Sequence, residues 1–291
     1  MGLAQSKIEV IRPFKSIATA LAFSPTAEAL LFEAKRISER LNASLTLIHA
    51  GVKNSANESR VHELLEKVGL QKKSIKLIWK EGKPEKVLLE VCLLEKVDLL
   101  ILGAIKHETL VKHYTGSVAR KISRNPPCSL LLITNPQKST QGLRKVVING
   151  LNHLKTKNTI EKACYFALSF DVKKITVVEE IRPTEVKTKI DDNLTLEQAY
   201  HEKQELRRRE DKRIFEILKP IPIPSQTEIS VRAVFGKEGY SISHYAEVKK
   251  ANLLVMNSPD NKLGFLDRLL PHDLEYVLSD MPCDLLIVHQ K

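Results

Sequence analysis

The stretch NPPCSLLLIT, Asn125 to Thr134, returns 155 positions later as DMPCDLLIVH, Asp280 to His289. In each copy a Pro-Cys pair leads into an apolar run, Leu130-Leu131-Leu132-Ile133 in the first and Leu285-Leu286-Ile287-Val288 in the second. Neither run alternates with polar residues, as a strand with one wet face would. Both therefore predict strands covered on two sides, the environment of a parallel sheet wrapped by helices. Upstream of each run stands a second matched segment, EGKPEKVLLEVCLLEKVDLLILG and FGKEGYSISHYAEVKKANLLVMN. Gly82 aligns with Gly236, and Asp98 with Asn252, at an offset of 154. Two features in one order at nearly one offset argue for a duplicated domain.

Working outward, each half alternates strand and helix. The first half predicts strands near Ser16 to Ala22, Ser44 to His49, Ile75 to Lys80, Asp98 to Leu102 and Ser129 to Thr134. The second predicts them near Lys145 to Asn149, Lys174 to Val178, Glu228 to Val234, Leu253 to Met256 and Asp284 to His289. Pro84 suits a first helical turn, and Val87, Leu88, Val91 and Leu94 continue it at helical spacing. The polar stretch NPQKSTQGL, Asn135 to Leu143, reads as a linker, which divides the chain into domains at 1–137 and 138–291. The second domain carries an inserted helical segment near 182–222. Within it, Leu194 to Leu218 predicts a long helix with apolar positions at Leu196, Ala199, Tyr200, Leu206, Ile214 and Ile217. Lys203 and Glu210 interrupt that stripe, so its middle is expected to pack lightly. Arg207, Arg208 and Arg209 read as a solvated face with local ion pairs, or as a docking surface for an acidic partner.

Composition narrows the classes. A chain of 291 residues with 43% hydrophobic content can build two cores. No run of 18 or more apolar residues appears, and the opening MGLAQSKIEVIRPFK lacks the apolar centre of a secretory signal, so a cytoplasmic location is expected. Met1 to Ser6 fits the short pattern for myristoylation. Cys92, Cys128, Cys164 and Cys283 form no C-x-x-C pair and read as buried, reduced thiols. The net charge of +11 favours anionic partners, but aromatic residues make up only 5% and no nucleic-acid module is evident. His107 and His113 lack the companions of a metal site, and no set of general acid, base and nucleophile assembles.

The segment LGAIKHETLVKHYTGSVARK, Leu102 to Lys121, is where ligand chemistry concentrates. Gly103 ends a buried strand, and Gly116-Ser117 stands where a helix begins. Phosphate binding needs unobstructed backbone N–H groups, which a helix start supplies with the positive end of its dipole. Glycine lets the backbone approach and adopt positive φ. Ser117 is a helix cap or a hydroxyl donor to phosphate, while Lys106, His107, Lys112 and His113 would add positive charge. The bland reading is an ordinary strand-to-helix connection with a serine cap.

With its five-strand pattern repeated in tandem, its Gly-Ser-Val-Ala start and its Pro-Cys before strand five, the chain resembles the universal stress protein family. That family's ATP-binding loop reads G-x2-G-x9-G-[S/T]; here Gly103 is followed by two residues, Lys106, nine residues, then Gly116 and Ser117. GSVARKISRNPPCSLLLI is similar to the family's helix four and strand five, and AFSPTAEALLFEA to the start of its first helix. The resemblance implies an α/β fold of two tandem adenine-nucleotide-hydrolase-like (Rossmann-like) domains, each a five-stranded parallel sheet flanked by helices. It implies ATP or a related adenine nucleotide at Gly103, Lys106, Gly116, Ser117, Val118 and Ala50, with no metal site. Lys106 replaces the motif's second glycine, and Ala22 stands where nucleotide-binding members carry an acidic residue. In the second half Asn257 and Asp260 replace the first two glycines and Pro271-His272 replaces Gly-Ser, while Asp260, Asp267 and Asp273 add negative charge. That half is not expected to bind ATP.

The function implied is a cytoplasmic stress-response binding or regulatory protein with one altered nucleotide site and at most weak ATPase activity. The fifth strands of family members mediate pairing, so an internal pseudo-dimer or a homodimer is expected. The alternative is a nucleotide-independent scaffold that docks an unknown protein partner through Arg207, Arg208 and Arg209.

Overall fold

The computed structural model describes residues 13–106, 113–114, 116–137, 142–259 and 272–290. Each half contributes five parallel strands. In the first they are β1 (Ser16–Ala20), β2 (Ser44–Ala50), β3 (Lys76–Lys80), β4 (Leu99–Gly103) and β7 (Ser129–Ile133). In the second they are β8 (Lys145–Asn149), β9 (Lys174–Ile181), β10 (Glu228–Phe235), β11 (Leu253–Asn257) and β12 (Asp284–Val288). All ten join one sheet in the order β10-β9-β8-β11-β12-β7-β4-β1-β2-β3, which reads as the same five-strand order taken from either edge.

The middle of that sheet answers the question the sequence left open: the fifth strands pair within the chain. β7 and β12 run antiparallel, with Leu130, Leu131 and Leu132 opposite Ile287, Leu286 and Leu285. Leu131 and Leu286 hold the same position in the repeat, so a pseudo-twofold axis passes between them. The equivalence extends to hydrogen bonds. Asp98 Oδ2 accepts from the N–H groups of Lys15 and Ser16 at 2.9 and 3.0 Å. Asn252 Oδ1 accepts from those of Arg144 and Lys145 at 3.0 and 2.9 Å. In both halves, a side chain just before the fourth strand thus ties down the start of the first.

Strand parity explains the uniformly apolar runs. Leu99, Ile101, Leu131 and Leu286 point into the core on one face of the sheet, while Leu100, Leu102, Leu130 and Leu285 point into the core on the other. The first face packs under α1 (Ala27–Leu41), α2 (Ser55–Val68), α5 (Thr156–Leu168) and α6 (Asn193–Leu218). The second packs under α3 (Pro84–Leu94), α4 (Ser117–Arg124), α7 (Tyr240–Val248) and α8 (His272–Ser279). A fully buried Leu or Ile contributes about 1.5–3 kcal/mol, so these alternating side chains supply the main driving force on both faces. The four cysteines are buried free thiols.

Helices from the two halves also meet across the axis. Fully buried Phe14 packs edge-on against Phe166 of α5, with ring centroids 6.2 Å apart. On the opposite face Arg124 of α4 donates from Nε and Nη2 to Glu275 Oε1 of α8 at 3.2 and 3.0 Å.

Helix α6 stands where α2 stands in the first half, packing on α5 as α2 packs on α1. Its length is the addition. Asp192 caps it, accepting from Thr195 N–H at 2.8 Å, while Thr195 Oγ1 accepts from Asp192 N–H at 2.9 Å. Two expectations for this helix fail. Leu196 and Tyr200 are exposed, and Glu210, read as an interruption, is 2% exposed. The charge tolerates burial because Arg213, one turn on, donates from Nε to Glu210 Oε2 at 2.7 Å.

At one end of the β7–β12 pair, Asp284 Oδ1 accepts from the Thr134 N–H and hydroxyl at 2.9 and 3.0 Å. The carboxyl borders a cavity of about 530 Å³ between the halves, also lined by Glu33, Arg36 and Phe170. Burial pushes its pKa up to about 6, against the pull of the Thr134 donors. The folded protein therefore holds a proton that the unfolded chain releases, and stability from this group falls as pH rises from about 4 to about 6. Relative to Asp284→Asn, the parent should lose on the order of 1–2 kcal/mol across that window, discounted for the water-accessible cavity. Urea denaturation at pH 4 and pH 7 checks this; parallel pH profiles would refute it.

Candidate functional site

The carboxyl edge of the first half-sheet has the geometry of an α/β binding crevice. β1 and β4 are neighbours, β1 continues to α1 on one face, and β4 leads toward α4 on the other. Ligands of doubly wound sheets sit at such a switch point. Gly103 closes β4 opposite Ile133, and Ala104 N–H donates to Ile133 O at 2.8 Å. Gly103 has no positive φ, and a Cβ there would meet Leu30 at an ordinary 3.7 Å. What the glycine supplies is bare backbone at the edge.

After Ala104 the chain does not cross directly to α4. It forms a short antiparallel arm, β5 (Ile105–Lys106) against β6 (His113–Tyr114), with Lys106 opposite His113. β6 leans on α8 of the second half. The Lys106 side chain, His107, Lys112 and the His113 side chain lie outside the described residues, as do Met1 to Ser6.

Helix α4 starts one residue earlier in its capping than the sequence suggested. Gly116 is the N-cap, at φ −56° and ψ 155°, and Ser117 is the first helical residue, making no capping bond. Glycine at the cap carries no side chain to bond the first-turn N–H groups, so among the described residues no capping side chain covers them. Val118, Ala20, Ala50 and Ala104 are partly buried and pack against the core of this face. Ala50 and Gly103 end β2 and β4 at the carboxyl edge, and Gly116, Ser117 and Val118 open α4, the helix that follows β4 and its arm. Ala22 is exposed in the loop after β1.

One part of this edge escaped the sequence reading. His49, 8% exposed, donates from Nδ1 to Leu21 O at 2.9 Å, pinning the loop after β1; a carbonyl only accepts, so Nδ1 carries the proton. Its ring lies 4.7 Å from Trp79 and 5.0 Å from Phe23, and the Arg60 guanidinium covers Phe23 at 4.3 Å. Gly51 makes room for the imidazole: a Cβ there would stand 2.7 Å from His49 Nε2. The signal was a histidine ending an apolar strand just before Ala-Gly.

The equivalent edge of the second half is built for the opposite charge. Counting along the paired strands, Glu179 and Glu180 hold the places of His49 and Ala50. Glu180 caps α7, accepting from Gly239 and Ile242 N–H at 3.1 and 2.8 Å. Arg213 reaches from α6 to Glu179 Oε2 at 2.6 Å, to Glu210, and to the Gly150 carbonyl. Gly150 O is the counterpart of Leu21 O, so the carbonyl that His49 holds in one half is held by Arg213 in the other. Burial pushes Glu179 up to about 8; Arg213 opposes the rise and Glu210 adds to it. A cavity of about 320 Å³ opens here among Glu179, Glu180, Arg182, Glu185, Arg209 and Glu238. Asp260, Asp267, Pro271 and the side chains of His272 and Asp273 lie outside the described residues.

The arginine cluster of α6 is partly committed within the chain. Arg209 pairs with Glu210 at 2.9 Å and Glu185 at 3.6 Å, Arg207 lies 5.3 Å over the Phe235 ring, and Arg208 is exposed. Among the described residues, no group of three or more His, Cys, Asp or Glu side chains is placed to hold a metal ion, and no helix is long and apolar enough to cross a membrane.

The fold is therefore a tandem pair of doubly wound α/β units sharing one sheet, with a switch-point crevice retained in the first. Solved structures of the same architecture include a functionally unknown protein of Pseudomonas aeruginosa PAO1, at 15% identity and a TM-score of 0.68 over 96% of this chain and 93% of that one. A universal stress protein of Archaeoglobus fulgidus matches at 12% identity and 0.65, over 95% and 98%. A putative universal stress protein of Pseudomonas aeruginosa UCBPP-PA14 matches at 14% and 0.66, over 96% and 94%. At these identities the likeness is one of fold. No curated protein matches the sequence. The model of the universal stress protein family matches residues 13–134.

Removing Arg213 would leave Glu179 and Glu210 buried against each other. Arg213→Met should cost about 3–5 kcal/mol at pH 8, the usual penalty for breaking a buried pair from one side. The loss should shrink toward pH 5, well below the raised pKa of Glu179, where that carboxyl is neutral in the parent as well. Denaturant melts at both values check this; a pH-independent loss would show that packing alone is at stake.

Proposed function

We propose that the chain is a tandem universal stress protein of two domains, 1–137 and 138–291, acting as a cytoplasmic stress-response binding or regulatory protein. Its one nucleotide site lies in the first half. The observation that carries this reading is the uncapped start of α4, with Gly116 at its N-cap, at the same sheet edge as the bare backbone of Gly103. The triphosphate of ATP or a related nucleotide would meet the N–H groups of Ser117 and Val118, and the adenine would lie toward Ala50. Lys106, on the arm beside this edge, would supply a flexible positive charge. No such arrangement is proposed for the second half, where Glu180 stands in the place of Ala50 and its carboxylate already takes the N–H groups of Gly239 and Ile242. The reading is one of binding, with hydrolysis at most slow.

Thermal shift with ATP and magnesium tests it. The parent should be stabilised at millimolar ATP by RT ln(1 + [L]/Kd), and Gly116→Asp should abolish the shift. Aspartate is a favoured N-cap, so this variant keeps the helix while setting a carboxylate where phosphate would bind. Absence of a shift in the parent would sink the proposal.

A second reading is favoured by α6, where Leu194, Leu196 and Tyr200 are more than half exposed on the same helix as the exposed Arg207 and Arg208. On this reading the helix docks an acidic protein partner and the chain is a scaffold. Replacing Arg207, Arg208 and Arg209 by Glu should then strip specific partners from an affinity capture that Gly116→Asp leaves intact; an unchanged set counts against it.

A further inference from the structure

The two halves differ most in charge at a place that neither nucleotide nor helix-docking readings use. On the face of the sheet under α7, at the amino ends of β8, β9 and β10, a cavity of about 270 Å³ is lined by Lys145, Lys174, Arg232 and Lys249. Thr176, Ser230 and Tyr245 complete its polar wall. Thr176 is 4% exposed, and its hydroxyl lies 3.2 Å from that of Ser230, so two hydroxyls stand together on the sheet floor.

The same place in the first half is neutral. Matching the paired strands sets Ser230 at the position of Lys76 and Arg232 at that of Ile78. The helix ends match as well: Glu95 caps the C-terminus of α3 and Lys249 that of α7, and the next residues, Lys96 and Lys250, share a positive φ of 50° and 51°. In the first half Lys76 and Glu95 form an ion pair across the site. In the second, the acid has become Lys249, the lysine has become a hydroxyl, and Ile78 has become Arg232. Exchange of a closed ion pair for open cations and hydroxyls is what an anion receptor requires.

The cations keep capacity to spare. Lys174 shares Glu228 at 2.5 Å. Lys145 spends one N–H on the Lys249 carbonyl at 3.1 Å, and Arg232 spends one nitrogen on the Val231 carbonyl at 2.9 Å. Lys249 lies 5.7 Å over the Tyr245 ring. One carboxylate among four cations leaves a concentrated positive field over a concave, hydroxyl-lined floor. Pockets for drug-sized ligands run from roughly 300 to 1,000 Å³, so this one is sized for a phosphoryl or pyrophosphoryl group rather than a whole nucleotide.

We propose that the cavity bounded by Lys145, Lys174, Arg232, Lys249, Thr176 and Ser230 is a second ligand site, which binds the phosphate or pyrophosphate group of a small phosphorylated molecule. It is independent of the crevice at Gly103 and Gly116.

Isothermal titration of the intact protein with inorganic pyrophosphate at constant ionic strength tests this. The parent should bind, and the double variant Arg232→Ile with Lys249→Glu, which installs the residues of the first half, should bind at least about tenfold more weakly. Arg232→Gln alone should weaken binding less, and melting curves identify any variant that fails to fold. Gly116→Asp, which closes the nucleotide crevice to phosphate, should keep the pyrophosphate binding that the double variant loses, which separates this site from that crevice. The proposal is overturned if the parent gives no binding at millimolar pyrophosphate, if the double variant binds as the parent does, or if Gly116→Asp abolishes binding. It is equally overturned if a single-stranded oligonucleotide binds and pyrophosphate does not compete with it.

Discussion

Everything else in this molecule depends on the antiparallel pairing of β7 with β12. Each half-sheet taken alone would end in a five-residue apolar strand with a row of unpaired N–H and C=O groups, an edge prone to uncontrolled association. Joined about Leu131 and Leu286, the two edges vanish into the centre of one sheet. The helices follow. Phe14 can reach α5, and Arg124 can reach Glu275, because the strands have already fixed the halves face to face.

The pairing also frees the two halves to diverge. A duplicated scaffold whose central strands are packed on both faces by apolar side chains can change its peripheral edges without disturbing what holds it together. The carbonyl after the first strand illustrates this. In one half a histidine donates to it, and Gly51 leaves room for the ring. In the other an arginine from a lengthened helix does so and brings two glutamates into the interior. The constraint on the loop is the same, while the group that meets it has changed from an imidazole to a guanidinium with buried carboxyl partners.

The strands of each half were legible because parallel strands buried on two faces write unbroken apolar runs into the sequence, while their order in the sheet was not read from it. Predicted and observed strand ends mostly agree within one or two residues; β9, which continues to Ile181, is the exception. Helix α6 was legible in extent but not in orientation. Periodicity counts a glutamate as outward, and nothing local announces that Arg213 will neutralise Glu210 in the interior. Gly103 and Gly116 were found by spacing, yet their conformations were not, since neither adopts the positive φ that glycine allows. The Glu179–Arg213–Glu210 cluster and the basic cavity were hidden for a different reason. Their residues come from strands and helices far apart in sequence, and only the sheet brings them together.

Because β7 and β12 run in opposite directions, the carboxyl ends of the first five strands and the amino ends of the second five lie along the same rim. The crevice at Gly103 and Gly116 and the cavity at Arg232 and Lys249 therefore open along one border, separated by about five strand spacings, or roughly 24 Å. At physiological ionic strength that is about three Debye lengths, since each is about 8 Å. Charge placed in one would scarcely be felt in the other through solvent. Any influence between them would have to travel through the rigid sheet itself, across the Leu131–Leu286 seam.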